Sequence, residues 1–278
     1  MVRRLIIAAL VMAAGASVAQ DIIRRGYYST AHQVSFEVYD EAPYTNAVVI
    51  LPFEYEWDAS TNYLDASESA NDGTQATANA RPTWVAASGV TNAHYDFDGT
   101  DDTIDLPSDL VTDMKASGTG SVCMWVRMDD ATPAVTERFW GFGDDNSTSF
   151  LTSFIASDGK IGYALGISGA TQWNIQTTAT PSLSSATWHH VALTHNGTVP
   201  NIYIDGVDVA TTYPVSTDLT KWLDAATLID VGRVGSLRYN SVEIGHLAGD
   251  VDDFRAYAVA LSTAEVLAIY NDTSGAHP

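Results

Sequence analysis

Two adjacent histidines, several tryptophans and two groups of aspartates are the residues in this sequence whose types could do chemistry. His189 and His190 offer imidazoles for proton transfer or metal binding. Neighbouring side chains of an extended segment point to opposite faces, so the two rings do not converge on one ion. No third ligand stands at a recognisable spacing, and a framework role beside Trp188 is the expectation. Trp57, Trp84, Trp173 and Trp222 are candidate sugar platforms, since an exposed indole face stacks on a pyranose ring. Trp173 is favoured, because Gln172 and Asn174 flank it with amides suited to hydroxyls. Asp98, Asp101 and Asp102 form one acidic group, and Asp250, Asp252 and Asp253 another. Carboxylates brought close repel each other unless a cation or an arginine neutralises them. Arg255 is the arginine placed to do so. The single cysteine, Cys123, lies in the apolar run Ser121 to Val126 and reads as a buried, inert thiol. The sequence contains no G-x-S-x-G, H-E-x-x-H or P-loop.

The elements that position these residues are short. From residue 93 onward, apolar and polar residues alternate in runs broken by Gly, Asp, Asn and Ser. Val122 to Met128 is apolar on both faces, as a central strand of a sandwich requires. Asp205-Gly206 between Ile202–Ile204 and Val207–Val209 predicts a tight hairpin. One segment reads as helix: Ser262-Thr263-Ala264-Glu265 is a capping box, followed by Val266, Leu267, Ile269 and Tyr270 at helical spacing. The polar stretch from Asp58 to Asn79 reads as loop. The pattern predicts an all-β fold, a two-sheet antiparallel jelly-roll sandwich with one short C-terminal helix.

Composition bounds the partners. The 278 residues carry 13 Lys+Arg against 34 Asp+Glu, a net charge of −21, which disfavours nucleic acid and anionic membrane. One cysteine permits neither an internal disulfide nor a Cys-based zinc site. Arg3 and Arg4, the apolar run Leu5 to Ala14 and the small residues up to Ala19 read as a signal peptide over 1–19, cut after Ala19. The expected location is therefore secreted, extracellular or at the cell surface. No stretch is long enough to span a bilayer. Residues 20–45 read as a polar leader with one alternating segment, Val34, Phe36 and Val38; 46–272 as the main domain; and 273–278 as a tail.

Four stretches resemble the laminin-G-like, concanavalin A-like jelly rolls, in particular their bacterial and phage branch: Asp65 to Thr74, Phe97-Asp98-Gly99-Thr100-Asp101-Asp102, Trp188-His189-His190-Val191-Ala192 with Ile202 to Gly206, and Gly249 to Tyr257 with Ala260 to Tyr270. The resemblance implies that the first and last strands of the domain lie side by side. That would gather Asp98, Asp102, Asp250 and Asp252 at one rim as candidate calcium ligands; calcium takes six to eight oxygens from such groups. Laminarinase-type hydrolases of this fold carry E-x-D-x-x-E, and Glu54-Tyr55-Glu56-Trp57-Asp58 lacks that spacing.

The leading expectation is thus an exported, non-catalytic recognition module that binds carbohydrate or a surface partner, assisted by calcium. The runner-up is a self-associating component of a filament, surface layer or virion, a homo-oligomer formed through residues 20–45 by strand addition. A glycan-cleaving enzyme is the third.

Overall fold

The computed structural model describes residues 46–53, 62–67, 69–75, 77–86 and 93–277. The signal segment, the leader with Val34, Phe36 and Val38, and Glu54 to Asp58 with Trp57 lie outside the described residues. In chain order the strands are β1 (Ala47–Leu51), β2 (Asn62–Tyr63), β3 (Gly73–Thr74), β4 (Thr83–Val85), β5 (His94–Asp98) and β6 (Ile104–Leu106). Helix α1 (Ser108–Met114) follows, then β7 (Gly120–Met128), β8 (Trp140–Gly143), β9 (Phe150–Ile155), β10 (Ile161–Ile167) and β11 (Ala170–Thr177). Next come β12 (Trp188–His195), β13 (Pro200–Ile204), β14 (Val207–Asp208), β15 (Thr211–Ser216) and β16 (Val231–Val234). The chain closes with β17 (Leu237–Tyr239), β18 (Val242–Ile244), β19 (Ala248–Tyr257) and α2 (Thr263–Thr273).

The strands form two large antiparallel sheets. Sheet A has the order β14-β13-β12-β7-β19-β5-β4, with β1 also paired to β19. Sheet B has the order β15-β11-β10-β9-β8-β16-β6-β3-β2, and β17-β18 is a separate hairpin. β7 lies between β12 and β19 and is buried on both faces, which is why its apolar residues do not alternate with polar ones. The core between the sheets takes Val122, Met124 and Val126 from A and Trp140, Phe142, Tyr163 and Leu165 from B. Asp205 and Gly206 both adopt positive φ in the β13–β14 turn, as the Asp-Gly pair predicts. The capping box is formed: Ser262 Oγ accepts from Glu265 N–H, and Glu265 accepts from Ser262 N–H.

Two features depart from the sequence reading. The domain has a second helix, α1, whose Leu110, Val111 and Met114 are buried. The polar stretch 58–79 contributes β2 and β3 to the edge of sheet B. Asp65 organises that stretch, since its carboxylate accepts from the N–H groups of Ile50, Ser67 and Asn71 and from Ser67 Oγ. One buried acceptor substitutes for the ladder that these residues do not make.

Candidate functional site

Strand alternation sorts the candidate residues. On β11, Trp173 and Ile175 point into the core, so Gln172, Asn174 and Gln176 project from the outer face of sheet B. Trp173 is therefore not a sugar platform. It is fully buried, donates its Nε1–H to Lys221 O at 2.9 Å and stacks on His195. Trp222 is also fully buried and stacks on the other side of His195, 5.1 Å between centroids. Gly197 N–H donates to His195 Nδ1, so Nε2–H donates to Leu219 O, and burial lowers the imidazole pKa. Indole, imidazole and indole form a structural stack. Trp84 is half-buried against the core.

The histidine pair divides as expected. Ser184 N–H donates to His189 Nε2, so Nδ1–H donates to Asp205, whose other oxygen accepts His190 N–H. His190 lies on the opposite face, under α2, beside Trp125. Burial drives its pKa down to about 4.

The aspartates do not gather as the resemblance implies. Asp98, Asp101 and Asp102 come together, each offering an oxygen within 4.8 Å of the others. Asp250 and Asp252 lie elsewhere. Asp250 sits opposite Asp96 and binds Arg127 Nε at 2.5 Å; Asp252 binds His277 Nε2 at 2.8 Å. Asp253 takes a bidentate fork from Arg255, at 2.8 and 2.6 Å. Asp250 faces Arg127 in the regular β7–β19 register, and at the β-bulge between Asp252 and Arg255 Asp253 has φ 51° and meets Arg255. In the remaining trio, Asp98 Oδ1 accepts from Thr100 and Asp101 N–H, and Asp102 Oδ2 accepts from Asp98 N–H. Burial, with the like charges of Asp98 and Asp101, pushes Asp102 up to about 6. Three close carboxylates with free lone pairs are a donor set that a hard divalent cation fits, though loop carbonyls or water would have to complete the shell. Cys123 is buried, and its thiol is pushed up to about 12, as an inert role requires.

The outer face of sheet B holds an arrangement that the sequence reading did not assemble. Pairing registers place Gly141, Thr152, Ala164 and Asn174 in one row across β8, β9, β10 and β11. Phe150 and Phe154 flank the row. Their rings lie so close over Gly166 and Gly162 that a Cβ there would meet ring carbons at 2.6 and 2.3 Å. At one end the β17–β18 hairpin closes over Gly143, and Tyr239 meets Phe150 edge-on at 5.4 Å. Arg138 reaches into this end: Nη1 donates to Thr152 Oγ1 at 3.3 Å, and Nε is buried without a partner. At the other end Asn174 Oδ1 is buried without a partner, between half-buried Gln172 and Gln176. Leu237 of the hairpin covers Gly141, and a Cβ there would meet its side chain at 2.7 Å. The aromatic edges, small Ala164 between Thr152 and Asn174, and polar groups at both ends suit a ligand with a ring face and hydroxyls. The legible signal was the glycine alternation in Trp140-Gly-Phe-Gly143 and Ile161-Gly-Tyr-Ala-Leu-Gly-Ile167, which strips side chains from one face.

A family model described as the concanavalin A-like lectin/glucanases superfamily matches residues 98–267. No curated protein matches the chain. Among solved structures, the carbohydrate-binding module CBM40 of a Ruminococcus gnavus IT-sialidase, bound to α2,3-sialyllactose, aligns with TM-score 0.50 and 13% identity, over 68% of this chain and 96% of that one. The NanB sialidase of Streptococcus pneumoniae aligns at 0.53 and 18%, over 63% of this chain and 27% of that one. The receptor-binding domain of a botulinum neurotoxin C/D mosaic serotype aligns at 0.57 and 14%, over 82% and 51%. The chain thus spans about a quarter of the sialidase and half of the toxin domain. At these identities the likeness is one of fold.

Proposed function

The chain belongs to the concanavalin A-like lectin/glucanases superfamily, and on that footing we propose that it is an exported, non-catalytic glycan-binding module whose binding surface is the outer face of sheet B. One observation carries the reading: the row Thr152–Ala164–Asn174 is edged by Phe150 and Phe154, and at its ends Arg138 Nε and Asn174 Oδ1 have no partner among the described residues. Buried polar groups are normally hydrogen-bonded, so open ones call for a reason, and at this face a bound ligand is the reason proposed. Two of the aligned structures are a carbohydrate-binding module bound to a sialylated sugar and a receptor-binding domain, which agrees with a recognition role. No helix among the described residues is long and apolar enough to cross a membrane.

Calcium enters this reading through Asp98, Asp101 and Asp102 alone. A cation held there would relieve the repulsion that raises Asp102 and would fix the turn after β5. The melting midpoint should rise in calcium and fall back with chelator, and Asp102→Asn should remove the difference.

A glycan array probed with the full chain tests the main reading. Binding should appear and should weaken several-fold in Gln172→Ala and Asn174→Ala. An array with no binding overturns it, as does binding that both variants leave intact. The mass of the mature N-terminus tests export; the expected form begins at Gln20.

A further inference from the structure

We propose that Arg138 is a carboxylate anchor, so that the outer face of sheet B selects saccharides bearing an acidic sugar over their neutral counterparts. The proposal rests on the glycan reading of this face and names the class of sugar.

It begins from charge pairing. In a chain of net charge −21, carboxylates are abundant. Arg127 sits on Asp250, Arg233 on Asp105 and Glu243, Arg238 on Asp145, and Arg255 on Asp253. Arg138 sits on none: among the described residues its side chain has one hydrogen bond, a long one to Thr152 Oγ1. It is nevertheless half-buried. Gly245 packs against its stem, where a Cβ would meet Arg138 Cγ at 2.9 Å, and Arg138 N–H donates to Gly245 O. A guanidinium taken partly out of water without a counter-charge costs stability, and a ligand carboxylate recovers that cost.

The surroundings agree. Glu137, its neighbour in sequence, turns away and accepts Ala248 N–H. Arg238 is neutralised by Asp145, and Tyr239 is the titratable group whose charge bears on Arg138. Thr152 Oγ1 donates to Trp140 O, leaving the hydroxyl to accept from Arg138 and fix the fork beside the row. A guanidinium so held presents parallel N–H groups, which match the two oxygens of a carboxylate. Thr152 and Asn174 are two strands apart, about 10 Å at sheet spacing, so one disaccharide can meet both ends of the row.

Titration calorimetry with paired probes tests the proposal: 3′-sialyllactose against lactose, and digalacturonate against its methyl ester. The acidic member of at least one pair should bind about tenfold tighter, the size of one charge-assisted hydrogen bond. Arg138→Gln should collapse that margin, and Arg138→Lys, which keeps the charge but not the fork, should restore part of it. Half-burial limits screening, so the margin should persist in moderate salt. A neutral preference in the wild type overturns the proposal and leaves the glycan reading standing, as does a margin unchanged in Arg138→Gln. Binding of none of the four probes, with an empty array, overturns both. Should Arg138→Gln fail to fold, the Arg Nε–H resonances of the wild-type protein decide: one of them must move with the acidic probe and stay still with its neutral partner.

Discussion

The outer faces of the two sheets are built from similar residue types and finished differently. On sheet A the acidic side chains meet partners within the fold: Asp250 with Arg127, Asp252 with His277 and Asp253 with Arg255. Helix α2 covers much of that face. Trp125 stacks on Tyr270 and on His277, the latter at 4.2 Å and 7°, and donates Nε1–H to Thr273. On sheet B the row is Gly141, Thr152, Ala164 and Asn174, the rings of Phe150 and Phe154 lie against Gly166 and Gly162, and Arg138 Nε and Asn174 Oδ1 have no partner among the described residues. A protein gains stability by closing its polar groups internally. Face A closes its acidic groups in this way, although His190 keeps both ring nitrogens open among the described residues. Face B leaves Arg138 without a carboxylate, as the proposed binding surface requires.

The largest contrast should be in stability. Asp253→Ala removes both hydrogen bonds of the fork that Arg255, 1% exposed, makes to this carboxylate, and should cost about 3–5 kcal/mol in denaturant unfolding. Arg138→Gln removes no ion pair and should cost within about 1 kcal/mol by the same measurement. Equal costs would erase the distinction between the faces.

Acid comes next. His190 is neutral in the folded state, with a pKa lowered by burial to about 4, against about 6.5 unfolded. The unfolded chain then binds the extra proton between those values. This contribution is complete above pH 6.5 and is lost as pH falls towards 4, up to about 3 kcal/mol. Neither ring nitrogen of His190 has a hydrogen-bond partner among the described residues, so His190→Phe should be nearly neutral at pH 7 and should flatten the acid limb. Asp102 on the β5 turn has the opposite sign: its raised pKa makes ionisation costly, so its term weakens stability as pH rises through about 6.

Gly143→Ala probes how the hairpin seats on face B. The new Cβ would lie 1.9 Å from Arg238 O, so the hairpin must lift, at about 1–3 kcal/mol. Glycan binding should weaken with it, whereas Asp253→Ala, while still folded, should leave affinity unchanged. The smallest effect belongs to Asn174→Ala. It deletes a polar atom that lacks a partner, so stability should move by less than about 0.5 kcal/mol while affinity falls several-fold.

These contrasts bear on what the sequence could disclose. The uninterrupted apolar run of β7, the Asp205-Gly206 turn and the Ser262 capping box are local patterns with one physical reading each, and all three stand in the structure. Helix α1 was hidden by its length: seven residues after Pro107 offer only Leu110, Val111 and Met114 as an apolar stripe. Reading Gln172, Trp173 and Asn174 as one site overlooked the alternation that separates an indole from its neighbours on a strand; the amides reach the outer face because Trp173 does not. Arg138 carries no pattern at all. What distinguishes it is the carboxylate it lacks, and that emerges only once Arg127, Arg233, Arg238 and Arg255 have each been placed on one. The aspartates of β19 present the converse case: each has its own partner in the fold, Arg127, His277 or Arg255, and no sequence pattern marks those pairings.

The position of β19 sets the order in which this chain can become a sandwich. It is the last strand in sequence, yet it joins β7 on one side to both β1 and β5 on the other, and Ala47 pairs with Tyr257. Until residues 248–257 are available, β7 has one bare edge and β1 has no partner, whatever the rest of the chain has done. Closure waits on contacts some 200 residues apart, the kind of topology that folds in milliseconds to seconds rather than microseconds. During that interval an unpaired, apolar central strand is the segment most open to capture by another chain. For a protein read as exported, a late-closing fold also keeps the polypeptide threadable until its last strand arrives.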